Sequence, residues 1–246
     1  MPVLFVSPEC IDQQTIVVTG DVLVHLRDSL RIKVGETLWL NNGLAVRYRV
    51  EIADVSRRAV TARVLETIQE PPRQTPRLVL GQSLLKGEKM DWVIQKATEL
   101  GVSEIVPIES QHSVVQLKAD RVNHQLARWQ RIALEAAQQS EQWRIPTVAT
   151  PQSLSALLTS LATGTLTLML AERREGKSLQ TVNLPQDARG SILVLIGPEG
   201  GWSQEEAQIA EQAGIQPIAL GEHILRAETA AIAAISILQS RLGTLS

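Results

Sequence analysis

The chain has 246 residues, with 24 Lys and Arg against 26 Asp and Glu and therefore a formal net charge of −2. A general nucleic-acid binder is expected to be basic overall, and five Trp, one Tyr and one Phe are too few for a broad base-stacking surface. A single cysteine excludes a disulfide framework and a cysteine-rich zinc site, and no apolar run approaches the ~20 residues that span a bilayer. The N-terminus lacks the basic start of a signal peptide. The composition predicts a globular, cytoplasmic protein.

Short strands fill the first part of the chain. They are predicted over residues 3–6, 15–18, 37–40, 45–52 and 59–64. Asn42-Gly43 between two of them predicts a tight hairpin, and residues 25–31 favour a short helix. We therefore predict a small, mostly β domain over residues 1–72.

A proline-rich stretch over residues 70–76 marks the boundary of this domain, and after it the predicted strands and helices alternate. The predicted strands are residues 78–84, 104–108, 166–171, 192–196 and 218–220; the predicted helices are residues 88–100, 121–142, 154–161, a segment starting near 204, and 230–239. This alternation is typical of a parallel sheet covered on both faces. We predict an α/β domain over residues 73–246.

The first notable turn is Gly197-Pro198-Glu199-Gly200-Gly201, which directly follows an apolar strand. Ser203 and Glu206 have the spacing of a capping box, which predicts that a helix starts just after Ser203. The turn matches neither the dinucleotide motif nor the P-loop, and Glu199, Glu205 and Glu206 disfavour a phosphate. A cationic ligand without phosphate, such as S-adenosylmethionine, suits the turn better. An ordinary structural turn is an equally good interpretation of these residues alone.

The second notable segment runs from Leu220 to Ala230 and follows a short strand. Arg226 and Glu228 are ionisable residues beside an otherwise apolar stretch, and they could form either a structural ion pair or part of a site. Thr229 is the predicted N-cap of a helix over residues 230–239 that is apolar on nearly every side. Such a helix is buried either in a large core or between two subunits.

Together, the two segments resemble the ribosomal RNA small subunit methyltransferase E family, a group of SPOUT methyltransferases. Three further stretches resemble the same family: residues 25–35, the Lys-Ala-Thr-Glu-Leu-Gly-Val of residues 96–102, and residues 135–146. Gln138 departs from the family pattern, which usually has Glu there, and is therefore not expected to be an essential acid. The resemblance spans nearly the whole chain.

The resemblance implies S-adenosylmethionine-dependent methylation of N3 of a uridine in 16S rRNA. It also implies a PUA-like barrel that helps to hold RNA, a C-terminal trefoil knot and a homodimer in the cytoplasm. The cofactor would be bound by Leu170, Ala171, Glu172, Ile196, Gly197, Pro198, Glu199, Gly200, Gly201, Leu220, Gly221, Ile224 and Leu225.

Methyl transfer to uracil N3 requires a cation for the charge that develops on the base and an acceptor for the N3 proton. We assign the cation to Arg226 and the acceptor to Glu228 or a water, with Glu199 a weaker candidate. The residues predicted to hold RNA are Arg27, Arg31, Lys33, Lys86, Lys89, Lys96 and Arg144.

No histidine has metal-ligand spacing with Asp or Glu, so no metal is predicted. Two other functions stay open at this point. One is a non-catalytic RNA-binding protein of ribosome assembly, and the other is a nucleotide-binding α/β enzyme that acts on a small metabolite.

Overall fold

A computed structural model describes residues 3–12, 14–171 and 176–245. The chain forms two compact units. The first comprises Met1–Pro72 and Ala137–Ile145, and the second comprises Arg73–Ala136 and Pro146–Ser246.

The first unit is built on a curled, six-stranded sheet. Its elements are β1 (Leu4–Phe5), β2 (Ile11–Asp12), β3 (Thr15–Val18), α1 (Gly20–Val24), β4 (Thr37–Asn41), β5 (Val46–Val55) and β6 (Val60–Gln69). The strand order is β1-β4-β5-β6-β3-β2, antiparallel except for β1 with β4. Its core includes the fully buried Ile16, Leu26 and Val50. The short helix predicted at residues 25–31 is a single π-helical turn, His25–Ser29, that continues α1.

The segment at residues 137–145 belongs to this first unit. The Asn41 side-chain amide donates hydrogen bonds to the carbonyls of Gln142 and Trp143, at 3.2 and 3.1 Å. The Arg47 guanidinium lies over the Trp143 ring, 3.9 Å from its centroid. These contacts require the chain to leave its helix before residue 142, and Glu141, with φ 53°, makes that turn.

The second unit is α/β. Its elements are β7 (Arg77–Ser83), α2 (Lys89–Glu99), β8 (Glu104–Glu109), α3 (Ala119–Gln139, whose last turn lies in the first unit), β9 (Thr147–Val148), β10 (Gln152–Ser153), α4 (Leu154–Thr159), β11 (Leu166–Leu170), β12 (Lys177–Ser178), β13 (Ser191–Ile196), α5 (Gln204–Gln212), β14 (Gln216–Ala219) and α6 (Ala227–Arg241).

All described pairings of the second sheet are parallel, in the order β10-β8-β7-β13-β11-β14-β12, with β9 beside β8. Leu193 and Leu195 of β13 pack with α4 and α5 on one face of the sheet. Helix α6 packs against β13, β7 and α2. The predicted class, an α/β domain with a mostly parallel sheet and a small β domain, is confirmed.

The chain path near the C-terminus determines where the predicted turns meet. Strand β14 lies beyond β11, yet α6 returns to pack against β13 and β7. The trefoil knot implied by the resemblance requires a return of this kind, and the knot itself stays a prediction. The predicted start of the last helix is wrong: α6 begins at Ala227, and Arg226 rather than Thr229 is its N-cap. Ala227 is buried, and its packing outweighs the capping preference of Thr229, which is worth about 1 kcal/mol.

Candidate active site

A cavity of about 570 Å³ opens where three neighbouring strands of the second unit end. Leu170, Ile196 and Ala219 are the last residues of β11, β13 and β14, and all three line it. Ligands of α/β folds bind at this carboxyl edge of the sheet, and the volume suits a small organic molecule. The full lining is Lys89, Leu170, Ala171, Ile196, Gly197, Pro198, Glu199, Gly201, Trp202, Ala219, Leu220, Gly221, Glu222, His223, Ile224, Leu225, Arg226, Ala227 and Ala230.

One wall of the cavity is the turn at residues 197–203, which we call the first wall. The predicted capping box is confirmed: Ser203 Oγ accepts from the Glu206 N–H at 3.1 Å, and Glu206 Oε2 accepts from the Ser203 N–H at 2.9 Å. The buried Glu206 carboxylate also accepts from Ser110 Oγ at 3.0 Å and from the Gln111 N–H at 3.2 Å. The start of α5 is therefore tied to the loop after β8.

Two side chains fix the first wall further. His112 Nδ1 lies 3.2 Å from the Gly200 carbonyl and 3.1 Å from the Gly201 carbonyl, so it donates to both. A Cβ at Gly200 would lie 3.1 Å from His112 Cβ, which explains the glycine there. The Trp202 indole N–H donates to the Leu170 carbonyl at 3.2 Å, which joins the wall to the end of β11. Sequence reasoning missed His112, because nothing local links it to a turn 88 residues away.

The opposite wall is the segment at residues 220–226, which we call the second wall. Gly221 has φ 149°, a conformation that L-residues rarely adopt, and a Cβ there would meet nothing within 4 Å. Ile224 is 82% exposed and Leu225 is 37% exposed although both line the cavity. This wall is open, and it carries the ionisable Glu222, His223 and Arg226 beside its apolar side chains.

An ion cluster lies between α2, the first wall and the start of α6. Lys89 Nζ donates to Glu199 Oε1 at 2.9 Å and lies 3.7 Å from Glu228 Oε2. The hydrogen bond to Glu199 raises the pKa of Lys89, against the opposing effects of desolvation and of the nearby Arg226. Burial raises the pKa of Glu199, but hydrogen bonds from Lys89 and from backbone N–H groups, together with the Lys89 charge, lower it on balance. Both groups are therefore held in their charged forms.

Of the two residues predicted to be catalytic, one lines the cavity and the other lies behind its wall, near Lys89. Arg226 is exposed and lines the cavity. Glu228 is not part of the lining, and its side chain is only 16% exposed. Its Oε2 is buried and has no hydrogen-bond partner among the described residues. A buried carboxylate oxygen without a partner is costly, and such atoms occur at sites where a ligand or proton supplies the missing partner.

The cavity brings together most of the residues predicted to bind a cofactor. Eleven of the thirteen line it; Gly200 does not, and Glu172 lies outside the described residues. Lys89, predicted to hold RNA, is part of the same cavity. Sequence reasoning also missed Trp202, His223 and the start of α6 as lining residues.

The other residues predicted to hold RNA have varied surroundings. Three are engaged by neighbours: Arg27 pairs with Asp28 at 2.6 Å, Lys96 with Glu99 at 2.8 Å, and Arg144 with Glu70 at 2.5 Å. The backbone N–H of Lys86 faces Glu199. Arg31 and Lys33 follow the π-helical turn of the first unit.

The first unit also carries two cations that sequence reasoning missed. The turn between β5 and β6 places Arg57 beside Arg27, whose guanidinium donates to the Arg57 carbonyl at 3.2 Å. Arg58 follows in the same turn. Arg57 and Arg58 add to Arg27, Arg31 and Lys33, the cations that were predicted in the first unit.

The described residues, 3–12, 14–171 and 176–245, form neither a metal centre nor a membrane-spanning helix. No group of three or more His, Cys, Asp or Glu in these ranges could hold a metal ion. Within the same ranges, no helix is long and apolar enough to cross a membrane.

Comparisons with known proteins match both parts of the chain. Residues 72–239 match the RNA methyltransferase domain family, and residues 18–65 match the RNA methyltransferase PUA domain family. The ribosomal RNA small subunit methyltransferase E of Synechocystis is 32% identical over 97% of this chain and 77% of its own length. The protein of the same name from Bacillus subtilis is 31% identical over 90% of this chain and 88% of its own length.

A solved structure is similar over the whole fold. It is the ribosomal RNA small subunit methyltransferase E of Neisseria gonorrhoeae bound to S-adenosyl methionine, with a TM-score of 0.87 and 30% sequence identity. The similarity covers 98% of each chain.

Proposed function

The chain belongs to the ribosomal RNA small subunit methyltransferase E family, and we propose that it uses S-adenosylmethionine to methylate N3 of a uridine in 16S rRNA. The observation that carries the proposal is the single cavity formed by the two predicted segments at the ends of β11, β13 and β14. The family relationship supports the reaction class, and the residues of the cavity support the ligand.

The chemistry of the cavity fits S-adenosylmethionine. The apolar side chains of its second wall, Ile224 and Leu225, suit an adenine ring, and the open glycine at position 221 lets the ligand approach the backbone. The carboxylates of Glu199 and Glu222 balance the charges of Lys89 and Arg226, so the cavity has no excess positive charge to hold a phosphate. When bound, S-adenosylmethionine supplies a methyl group that is attached to a positively charged sulfur. The sulfur keeps the electron pair of the S–C bond and leaves as a neutral thioether.

The residues of the protein then have to stabilise the negative charge that develops on the base and accept its N3 proton. Breaking the N3–H bond leaves an electron pair on N3 that forms the new bond to carbon, and negative charge spreads to the two flanking carbonyl oxygens. Arg226 supplies a permanent cation beside them. Glu228, with its unpartnered oxygen, or a water takes the proton. Glu199 is the weaker acceptor, because its lowered pKa and its bond to Lys89 keep it ionised.

RNA binding and assembly complete the proposal. The cations of the first unit would hold RNA phosphates, as would Lys86 and Lys96 of the second unit. They are Arg27, Arg31, Lys33, Arg57, Arg58 and Arg144. Helix α6 leaves Ile232, Ala233 and Ile237 only partly buried, which supports a homodimer through this helix. The site of action would be the cytoplasm, where small subunits are assembled.

Ligand binding is the first test. Isothermal titration calorimetry should show that the protein binds S-adenosylmethionine and neither ATP nor NAD. Binding of none of the three would favour a non-catalytic RNA-binding protein, and binding of ATP or NAD would favour a metabolic enzyme.

The second test is on RNA. Mass spectrometry of 16S rRNA from cells that lack the protein should show the loss of one N3-methyluridine, and the purified protein should restore it in vitro. Unchanged methylation in those cells would refute the assigned reaction.

A further inference from the structure

Lys89 lies in an unusual position for a residue that is predicted to bind phosphate. It is the first residue of α2, and its side chain is 35% exposed at the edge of the cavity. Strands β7 and β13 are parallel neighbours, so the segment that leads from β7 into α2 lies beside the turn that follows β13. The topology therefore brings the Lys89 ammonium to Glu199, 110 residues away.

The Lys89 ammonium is held in place, but not all of its N–H groups donate hydrogen bonds. A lysine has three N–H donors, and Glu199 takes one at 2.9 Å. Glu228 Oε2, at 3.7 Å, adds attraction without a hydrogen bond. The remaining donors can turn to a ligand in the cavity, while the two carboxylates restrict where the side chain can go. Such pre-organised charge is what stabilises an anionic transition state.

The cavity therefore contains two cations at one end. Lys89 and Arg226 both line it, and they are close enough for Arg226 to oppose the raised pKa of Lys89. With Glu199 and Glu228 they make an electrically neutral group of four, two positive and two negative. The other titratable lining groups are Glu222 and His223, on the second wall.

Uracil is the base whose edge matches two cations. Its N3 lies between two carbonyl oxygens, and both become more negative when N3 loses its proton. Cytosine replaces one of these oxygens by an amino group, which is a donor and would face a cation. Resting on the proposed function, we propose that Lys89 is a second substrate-contacting residue, which with Arg226 provides one cation for each carbonyl of the target base and selects uridine over cytidine.

The experiment compares two lysine variants with a matched control on methyl transfer to 16S rRNA in small subunits from cells that lack the protein. Lys89→Met removes the cation, and Lys89→Arg keeps it. Arg128→Met is the control, because Arg128 also pairs with a carboxylate at α2 but does not line the cavity. Its partner is Asp91, at 2.5 Å, and the side chain of Asp91 is 17% exposed, close to the 16% of Glu228.

We expect Lys89→Met to lower kcat about 100-fold at neutral pH, the effect of losing one oxyanion donor. The loss should shrink as the pH rises, because hydroxide then removes the N3 proton without help from a cation. Lys89→Arg should stay within about tenfold of the wild type, and Arg128→Met within about twofold. Binding of S-adenosylmethionine, measured by calorimetry, should be retained in all three variants.

The selectivity is read on small subunits reconstituted with rRNA that carries uridine or cytidine at the position found by mass spectrometry. Lys89→Met should narrow the ratio of kcat/KM for uridine over cytidine, which a loss of folded enzyme cannot do. If the wild type does not methylate the rRNA, the proposed function fails. If the wild type is active but Lys89→Met leaves the pH profile and the ratio unchanged, only the role of Lys89 is refuted.

Discussion

The two walls of the cavity are built from the same order of elements, a strand followed by a glycine-containing turn and a helix. They differ in the contacts that hold them. The first wall is fastened by the capping box, by His112 and by the bond from Trp202 to β11. The second wall has none of these ties, and its Ile224 is 82% exposed. We therefore expect the first wall to be ordered before the ligand binds and the second wall to adjust when the ligand binds.

This expectation has an energetic basis. A turn that is already ordered loses little conformational entropy on binding, whereas an open segment must lose it at that moment. The open wall, however, lets a bulky adenosine enter. A cavity with one fixed wall and one open wall can therefore combine a defined reaction geometry with access.

Removing Glu206 should have the largest effect, because it would make the first wall resemble the second. Glu206→Ala leaves the N–H groups of Ser203 and Gln111 and the hydroxyl of Ser110 without their acceptor. We expect the free energy of unfolding of the second unit to fall by about 2 to 4 kcal/mol and S-adenosylmethionine to bind at least about tenfold more weakly. Thermal denaturation and calorimetry measure the two quantities.

The matched control for that change is Glu205→Ala. Glu205 precedes Glu206 on the same helix and also bonds the Gln111 side chain, at 2.6 Å, but it is exposed. Its loss should cost less than about 1 kcal/mol. If the two variants were equally stable, the rigidity of the first wall would not depend on the buried carboxylate.

A substitution at Gly221 tests the second wall and should have a smaller, differently distributed effect. Alanine is strained at φ 149°, but in the unliganded protein the open segment can relax, since nothing lies within 4 Å of the new Cβ. We expect Gly221→Ala to leave the melting temperature within about 1 °C of the wild type and to weaken S-adenosylmethionine binding about tenfold.

Gly214→Ala is the control for Gly221, because Gly214 also has a positive φ, 71°, and open space around it but lies after α5, away from the cavity. It should show the reverse pattern, with a lower melting temperature and unchanged ligand affinity. Should Gly221→Ala lower the melting temperature as Gly214→Ala does, the second wall is as firmly built as the first.

How far the sequence predicts this site depends on the range of the signals. The capping box at Ser203 and Glu206 is local, three residues apart, so the sequence predicts the start of α5 correctly. The place of Lys89 is not local. Lys89 and Lys96 share a helix face and look like a phosphate-binding pair, but the pairing of β7 with β13 puts Lys89 in the cavity. Strand order is set by packing across the whole domain, and no pattern within α2 contains it.

The smallest expected effect concerns how Lys89 links α2 to the first wall. The pKa of Glu199 is lowered from its ordinary 4.5 in the folded protein, so its contribution to stability is present above that value and is lost as the pH falls through the folded pKa. The pKa of Lys89 is raised from 10.5, so its contribution is present below that value and is lost as the pH rises through the folded pKa. The ion pair should therefore stabilise the first wall between about pH 5 and pH 10.

Glu199→Gln should lower the melting temperature by no more than about 3 °C within that window, because the pair is partly exposed and solvent screens it. The difference from the wild type should disappear as the pH falls through the lowered pKa of Glu199 and as it rises through the raised pKa of Lys89, because one partner of the wild-type pair is then neutral. Glu135→Gln breaks the exposed pair between Arg131 and Glu135 and should change the melting temperature less at every pH. A difference for Glu199→Gln that stayed constant across this range would mean that the side chain holds the first wall by its hydrogen bonds and packing, and that the charge of Lys89 is free to serve the substrate alone.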